Sequence, residues 1–153
     1  LKKKRIEWGM QGIHKARRHA TINTLEIKVR DALDALFPGQ FQYTGNGGLW
    51  VNNYNPDFAH IDRKILVEAL GCAFHACPVC KIEGTECYED NTPKKALDYI
   101  ALGYQCVFIW EHELRELNWQ GKLRDRILSI LANDPPKSLT NVGIVGTPSL
   151  QIS

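Results

Sequence analysis

The 153-residue chain has no apolar run approaching the ~18 residues that span a bilayer, which excludes a membrane-spanning helix. It shows no secretory signal pattern. It has no internal repeat of the kind that builds solenoids. It also lacks a paired complement of cysteines: there are five, Cys72, Cys77, Cys80, Cys87 and Cys106. An odd count argues against a simple disulfide framework. What remains is the composition of an ordinary globular chain, 44% hydrophobic, long enough for one domain with a real core. The chain starts at Leu1 rather than Met, as a fragment of something longer would.

The net charge of +2 conceals an asymmetry. Residues 1–20 hold Lys2, Lys3, Lys4, Arg5, Lys15, Arg17 and Arg18 against the single acid Glu7, a surplus of +6, so the remainder carries −4. A basic arm on a near-neutral body points to a polyanionic partner; the plainer reading is a solvated tail. Beyond the arm, Leu25, Val29, Leu33 and Leu36 recur at helical spacing, with Thr21 or Asn23 as cap and Pro38-Gly39 as stop. Residues 41–51 read as two short strands around a Gly-rich turn, followed by a hairpin whose second arm is Lys64 to Leu70. Thr92-Pro93 opens a second helix carrying Ala96, Leu97, Ile100 and Ala101 and ending near Gly103. Tyr104 to Trp110 is the nearly continuous apolar run expected of a central strand covered on both faces. A last helix spans about Trp119 to Asn133, and Pro135-Pro136 closes it. The order is that of an α/β domain with a mixed sheet over about 21–134, preceded by the arm and followed by a weakly patterned tail, 135–153.

The hairpin carries the chemistry. With a two-residue turn at Asp62 and Arg63, positions summing to about 125 pair, and Asp57 falls opposite Glu68. Like charges directly opposite one another destabilise a sheet, and close carboxylates resist ionising together. A hard divalent cation between them removes both difficulties. His75, just past the strand end after Gly71, is placed to take a proton from a metal-activated water. Glu26, on the first helix, is a further candidate, although a solvated helix-surface Glu is commonplace.

A second cluster reads as a structural metal site. Cys77-Pro-Val-Cys80 is a C-x₂-C knuckle, Cys87 follows, and His112 lies past the apolar strand. Three thiolates and an imidazole form a standard closed zinc set. His75 competes with His112 for the fourth place, while Cys72 and Cys106 sit in apolar strand patterns and read as small buried hydrophobes.

Tyr43-Thr-Gly-Asn-Gly-Gly-Leu-Trp-Val, Asn55-Pro-Asp-Phe, Val67-Glu-Ala-Leu-Gly-Cys-Ala-Phe-His75 and Leu102-Gly-Tyr-Gln-Cys-Val-Phe-Ile-Trp-Glu-His-Glu-Leu114 together resemble the very-short-patch repair endonucleases, and more closely the phage and intron homing endonucleases built on that fold. The resemblance covers about residues 21–131. It implies a restriction-endonuclease-like core, a mixed sheet flanked by helices, and Mg²⁺-dependent hydrolysis of phosphodiesters in double-stranded DNA. It places the metal-binding acids on Asp57 and Glu68, the active-site His on His75 and the first-helix acid on Glu26. It also implies a structural Zn²⁺ that includes Cys77, Cys80 and His112, a DNA-contacting role for residues 1–20, and an intracellular setting in a bacterial host, phage or mobile element. Three positions depart from the family. Leu70 stands where the wider superfamily often has Lys, Phe74 where Trp is usual, and the downstream acid has only Asp90 or Asp98 as candidates. Two rivals follow: a DNA-binding module that keeps the fold without catalysis, and a hydrolase using the cysteine site as its catalytic zinc.

Overall fold

Strand β3 (Ile65–Leu70) buries all six of its residues, and the molecule is organised around it. The computed structural model describes residues 21–84 and 89–133. Among these, four strands form one sheet in the order β1 (Phe41–Tyr43), β2 (Phe58–His60), β3 and β4 (Gln105–Trp110). The β1–β2 and β2–β3 pairs are antiparallel, and β4 runs parallel to β3. Parallel strands need a long crossover. Here it comprises the cysteine loop and helix α2 (Thr92–Ala101).

Alternation along the strands sorts the two faces. Val67 and Ala69 of β3, with Val107 and Ile109 of β4, pack against Val29 and Leu33 of helix α1 (Thr24–Leu36) and Leu123 and Ile127 of helix α3 (Trp119–Asn133). Leu66 turns to the opposite face, toward Tyr99 of α2 and Tyr104. Each such fully buried aliphatic side chain contributes about 1.5–3 kcal/mol. The result is α/β, with a mixed sheet between helices. Among the described residues no helix is long and apolar enough to cross a membrane.

Several expectations change. The central strand is β3, not the run Tyr104–Trp110. β4 is the last strand of the described sheet, with only Val107 and Ile109 of its residues buried. The hairpin keeps the expected register, Phe58↔Val67 and Ala59↔Leu66, but its turn is four residues, not two. The His60 imidazole is the reason: its Nδ1 accepts the N–H groups of Asp62 and Arg63, both at 3.1 Å, and so closes a wider loop. Within the 41–51 segment Phe41–Tyr43 forms a strand, pairing with β2 rather than with its own continuation, and Val51 makes only an isolated bridge to Tyr54. Buried Asn55 accounts for this, since its Nδ2 donates to the carbonyls of Thr44 and Leu49 (2.7 Å each) and its Oδ1 accepts from Gly47 N–H. Those groups are thereby committed to a turn. On α2, Leu97 and Ile100 face outward, 68% and 60% exposed, while Lys95 and Tyr99, one turn apart, face the sheet. A carboxylate lies beneath them.

Candidate active site and metal centre

One residue beyond the paired rungs of β2 and β3, the same register sets Asp57 against Glu68. Strand parity directs Glu68 to the α2 face, where it is 3% exposed. Its Oε1 accepts from the Tyr99 hydroxyl and its Oε2 pairs with Lys95 Nζ. Burial, then the Glu68 carboxylate and its hydrogen bond, push the Tyr99 phenol far above its ordinary range. The backbone of Asp57 is fixed by Thr44 N–H and Gly45 N–H, which donate to its carbonyl at 2.7 and 3.1 Å. Its side chain is fixed by Ala69 N–H, which donates to Oδ2 at 2.9 Å. Burial and then the neighbouring Glu68 push the Asp57 carboxyl up to about 8. Ala69 N–H opposes the shift, Glu26 adds to it, and Lys95 opposes it weakly.

Glu26 reaches this site through local structure. Asn23 caps α1, accepting Glu26 N–H at 2.9 Å, while Glu26 Oε2 accepts Asn23 N–H at 3.0 Å in a reciprocal capping box. The same oxygen accepts the Tyr43 hydroxyl at 3.0 Å, which ties the helix start to β1. Glu26 is therefore structural as well as acidic. His75 is half-buried in the turn that follows β3, and its backbone N–H donates to Gly71 O at 3.1 Å. The downstream acids have other tasks. Asp90 accepts Thr92 N–H at 3.0 Å, just before the start of α2. Asp98 accepts from Tyr54 OH and Lys94 Nζ, at 2.7 and 2.8 Å; Lys94 first and then Tyr54 hold its carboxyl below the usual range.

A lysine does reach Glu68, from α2 rather than from β3. Nothing local in the sequence links Lys95 to Glu68, so pattern alone does not bring it to the site. The available signal is its spacing of four from Tyr99 on one helix face. Asp57 is pushed up by its acidic neighbours Glu68 and Glu26 even with Lys95 nearby, a repulsion that a divalent cation would relieve.

The cysteine cluster is Cys72, Cys77, Cys80 and His112, whose donor atoms all lie within 4.8 Å of one another. His112 Nδ1 is 3.3 Å from Cys72 Sγ and 3.4 Å from Cys77 Sγ. Around one tetrahedral ion with ~2.3 Å bonds, donors stand about 3.7 Å apart. These residues could therefore hold a metal ion such as zinc. Cys72 is thus a corrected assignment, a member of the donor set rather than a buried hydrophobe. Its position is set by its N–H, which donates to Glu111 Oε2 at 3.1 Å across the sheet end. Glu111 and His112 belong to the 3-10 turn Glu111–Arg115 that follows β4. Cys87 and the basic residues Lys2, Lys3, Lys4, Arg5, Lys15, Arg17 and Arg18 lie outside the described residues. Burial opposes ionisation of Cys77, but the N–H groups of Cys80 and Val79 and the neighbouring thiols outweigh it and hold Cys77 below the ordinary thiol value. Burial drives Cys72 the other way, up to about 12. The knuckle is bracketed by two left-handed residues, Ala76 (φ 49°) and Lys81 (φ 45°), a conformation that costs a non-glycine residue about 1–2 kcal/mol.

No family model, no curated protein and no solved structure matches this chain.

Proposed function

We propose that this chain is a metal-dependent DNA endonuclease of the very-short-patch-repair-like or homing type, on a restriction-endonuclease-like core. The observation that carries the reading is the register that sets Asp57 against Glu68 at one end of a mixed sheet, with Asp57 held by three backbone N–H groups and Glu26 close enough to act on its charge. Asp57 and Glu68 would hold Mg²⁺, with Glu26 assisting. When bound, that ion polarises a phosphoryl oxygen and acidifies water. His75 would take the proton of the attacking water at a ring nitrogen. Cys72, Cys77, Cys80 and His112 would hold a structural Zn²⁺, whose four protein donors leave no open position for catalysis at that metal. His75 lies between two of these donors in the chain, so the zinc would anchor the loop that carries the base.

Supercoiled plasmid tests the proposal. Wild type is expected to nick it with Mg²⁺ and to be silent in EDTA. Asp57→Ala is expected to lose about two to three orders of magnitude in rate, the scale of losing one preorganised charge-stabilising group. Equal nicking by the two proteins would end the proposal. The basic arm predicts a steep salt dependence, since each phosphate neutralised contributes about −0.9 to the slope of log K against log salt. Deleting residues 1–20 is expected to flatten that slope in a filter-binding titration; an unchanged slope would remove the arm from the interface.

A second reading is favoured by one observation. Both oxygens of Glu68 are engaged, by Lys95 and by Tyr99. A fold that had lost its metal would look the same, and it would bind DNA without cleaving it in Mg²⁺.

A further inference from the structure

We infer that Lys95 is a resident counter-ion of the acidic site, which a divalent metal must displace from Glu68 in order to bind. The inference rests on the endonuclease reading and specifies how its metal site is controlled. Lys95 Nζ pairs with Glu68 Oε2, and the two side chains are 13% and 4% exposed. Its ammonium also lies over the Tyr54 ring, 5.2 Å from the centroid. Tyr54 packs edge-on against Tyr99, with centroids 5.5 Å apart, and Tyr99 donates to the other oxygen of Glu68. The lysine is thus gripped on two sides and aimed at one carboxylate oxygen.

Helix stability does not explain this position. Lys95 follows Pro93 in the first turn of α2, which has no acidic residue. Cations are unfavourable at a helix N-terminus, where the dipole is positive. The apolar side chains a helix normally buries, Leu97 and Ile100, are turned to solvent, and the face carrying Lys95 and Tyr99 is turned to Glu68. A desolvated carboxylate needs a partner, and Lys95 supplies it from another element. Glu68 Oε2 belongs to the pair that would ligate Mg²⁺, so metal and ammonium compete for one atom. The lysine keeps the metal-free site folded and sets a threshold for metal entry.

The test reads metal affinity directly, with Mn²⁺ as the paramagnetic probe followed by electron paramagnetic resonance. Lys95→Met keeps the stem against Tyr54 and removes the charge. It is expected to bind Mn²⁺ about tenfold tighter than wild type, because a nearby positive charge and a competing donor are both removed. Lys95→Arg keeps the charge and is expected to stay near wild type. If Lys95→Met does not fold, as judged by circular dichroism, Lys95→Gln takes its place with the same expectation. Unchanged or weaker Mn²⁺ binding in a folded neutral variant overturns the inference, as does equal tightening by Lys95→Arg. If wild type binds Mn²⁺ and nicks DNA while the neutral variant binds it equally, the endonuclease reading stands and the role of Lys95 falls. If neither protein binds Mn²⁺, both fall.

Discussion

Asp57→Asn is expected to make the metal-free protein more stable, and to do so increasingly as pH rises. The Asp57 carboxyl sits at about 8 in the folded chain, against an ordinary 3.8, because of burial and then Glu68. Between those values the folded state holds a proton that the unfolded chain has released. Stability therefore falls with rising pH throughout that window, since it falls wherever the folded state binds more protons. The window opens near 4 and closes near 8. Each tenfold difference in proton affinity between the folded and unfolded chain corresponds to about 1.4 kcal/mol, and relaxation around the carboxyl reduces the whole, so about 2–4 kcal/mol is expected to separate the two proteins at pH 8. Asn keeps an oxygen for Ala69 N–H and carries no charge. Urea midpoints at about pH 5, 7 and 8.5 measure the effect, with wild type sloping downward and Asp57→Asn nearly flat over the Asp57 window. Mg²⁺ is expected to flatten the wild-type slope and leave the variant unchanged. Superimposable pH profiles for the two metal-free proteins would show that Asp57 ionises freely, and the electrostatic case for a cation there would go with it. A residue whose replacement stabilises the fold while removing activity is held for a task other than folding.

The elements that follow from local pattern were legible in the sequence. α3 runs from Trp119 to Asn133 as its Leu123 and Ile127 spacing predicts, and the β2–β3 register is the one expected from a turn centred on Asp62 and Arg63. Of the two expected caps, Thr21 and Asn23, the structure uses Asn23, and its reciprocal bonds with Glu26 explain how a helix glutamate comes to lean over β1. What escaped depends on side chains acting at a distance. His60 reshapes the hairpin turn, and Asn55 diverts Thr44 and Leu49 from strand pairing. Apolar runs do not reveal strand order: Tyr104–Trp110 has no charged residue and β3 contains Glu68, yet it is β3 that is fully buried between two neighbours. The acidic site was half legible. Asp57 and Glu68 are neighbours by register, whereas Lys95 and Tyr99 arrive from a helix 27 and 31 residues further on.

Cys72→Ser is expected to lose the zinc, and Cys87→Ser to retain it. Spacing alone favours Cys77, Cys80 and Cys87 as the thiols, because C-x₂-C with a nearby third Cys is a common pattern. Among the described residues the fold places Cys72 there, just past Gly71, with its N–H on Glu111 and its sulfur 3.3 Å from His112 Nδ1. With His112 these thiols complete a four-donor set, and a structural zinc accepts no fifth. Such sites bind with apparent energies of about 10–16 kcal/mol, so the loss of one thiolate is expected to weaken zinc by about a hundredfold or more and to lower thermal stability with it. Cobalt substitution provides the count. Wild type and Cys87→Ser are expected to show the charge-transfer intensity of three thiolates, and any spectrum that Cys72→Ser retains is expected to show two. Chelation of wild type is expected to release the 71–81 loop, and with it His75, before the β-sheet melts, because Val67, Val107 and Ile109 draw their burial from α1 and α3 rather than from the metal. Nicking would then vanish at a chelator concentration where far-ultraviolet circular dichroism still reports the helices, even with Mg²⁺ in excess. Retention of one equivalent of zinc by Cys72→Ser, together with its loss from Cys87→Ser, would reverse the assignment and remove Cys72 from the donor set.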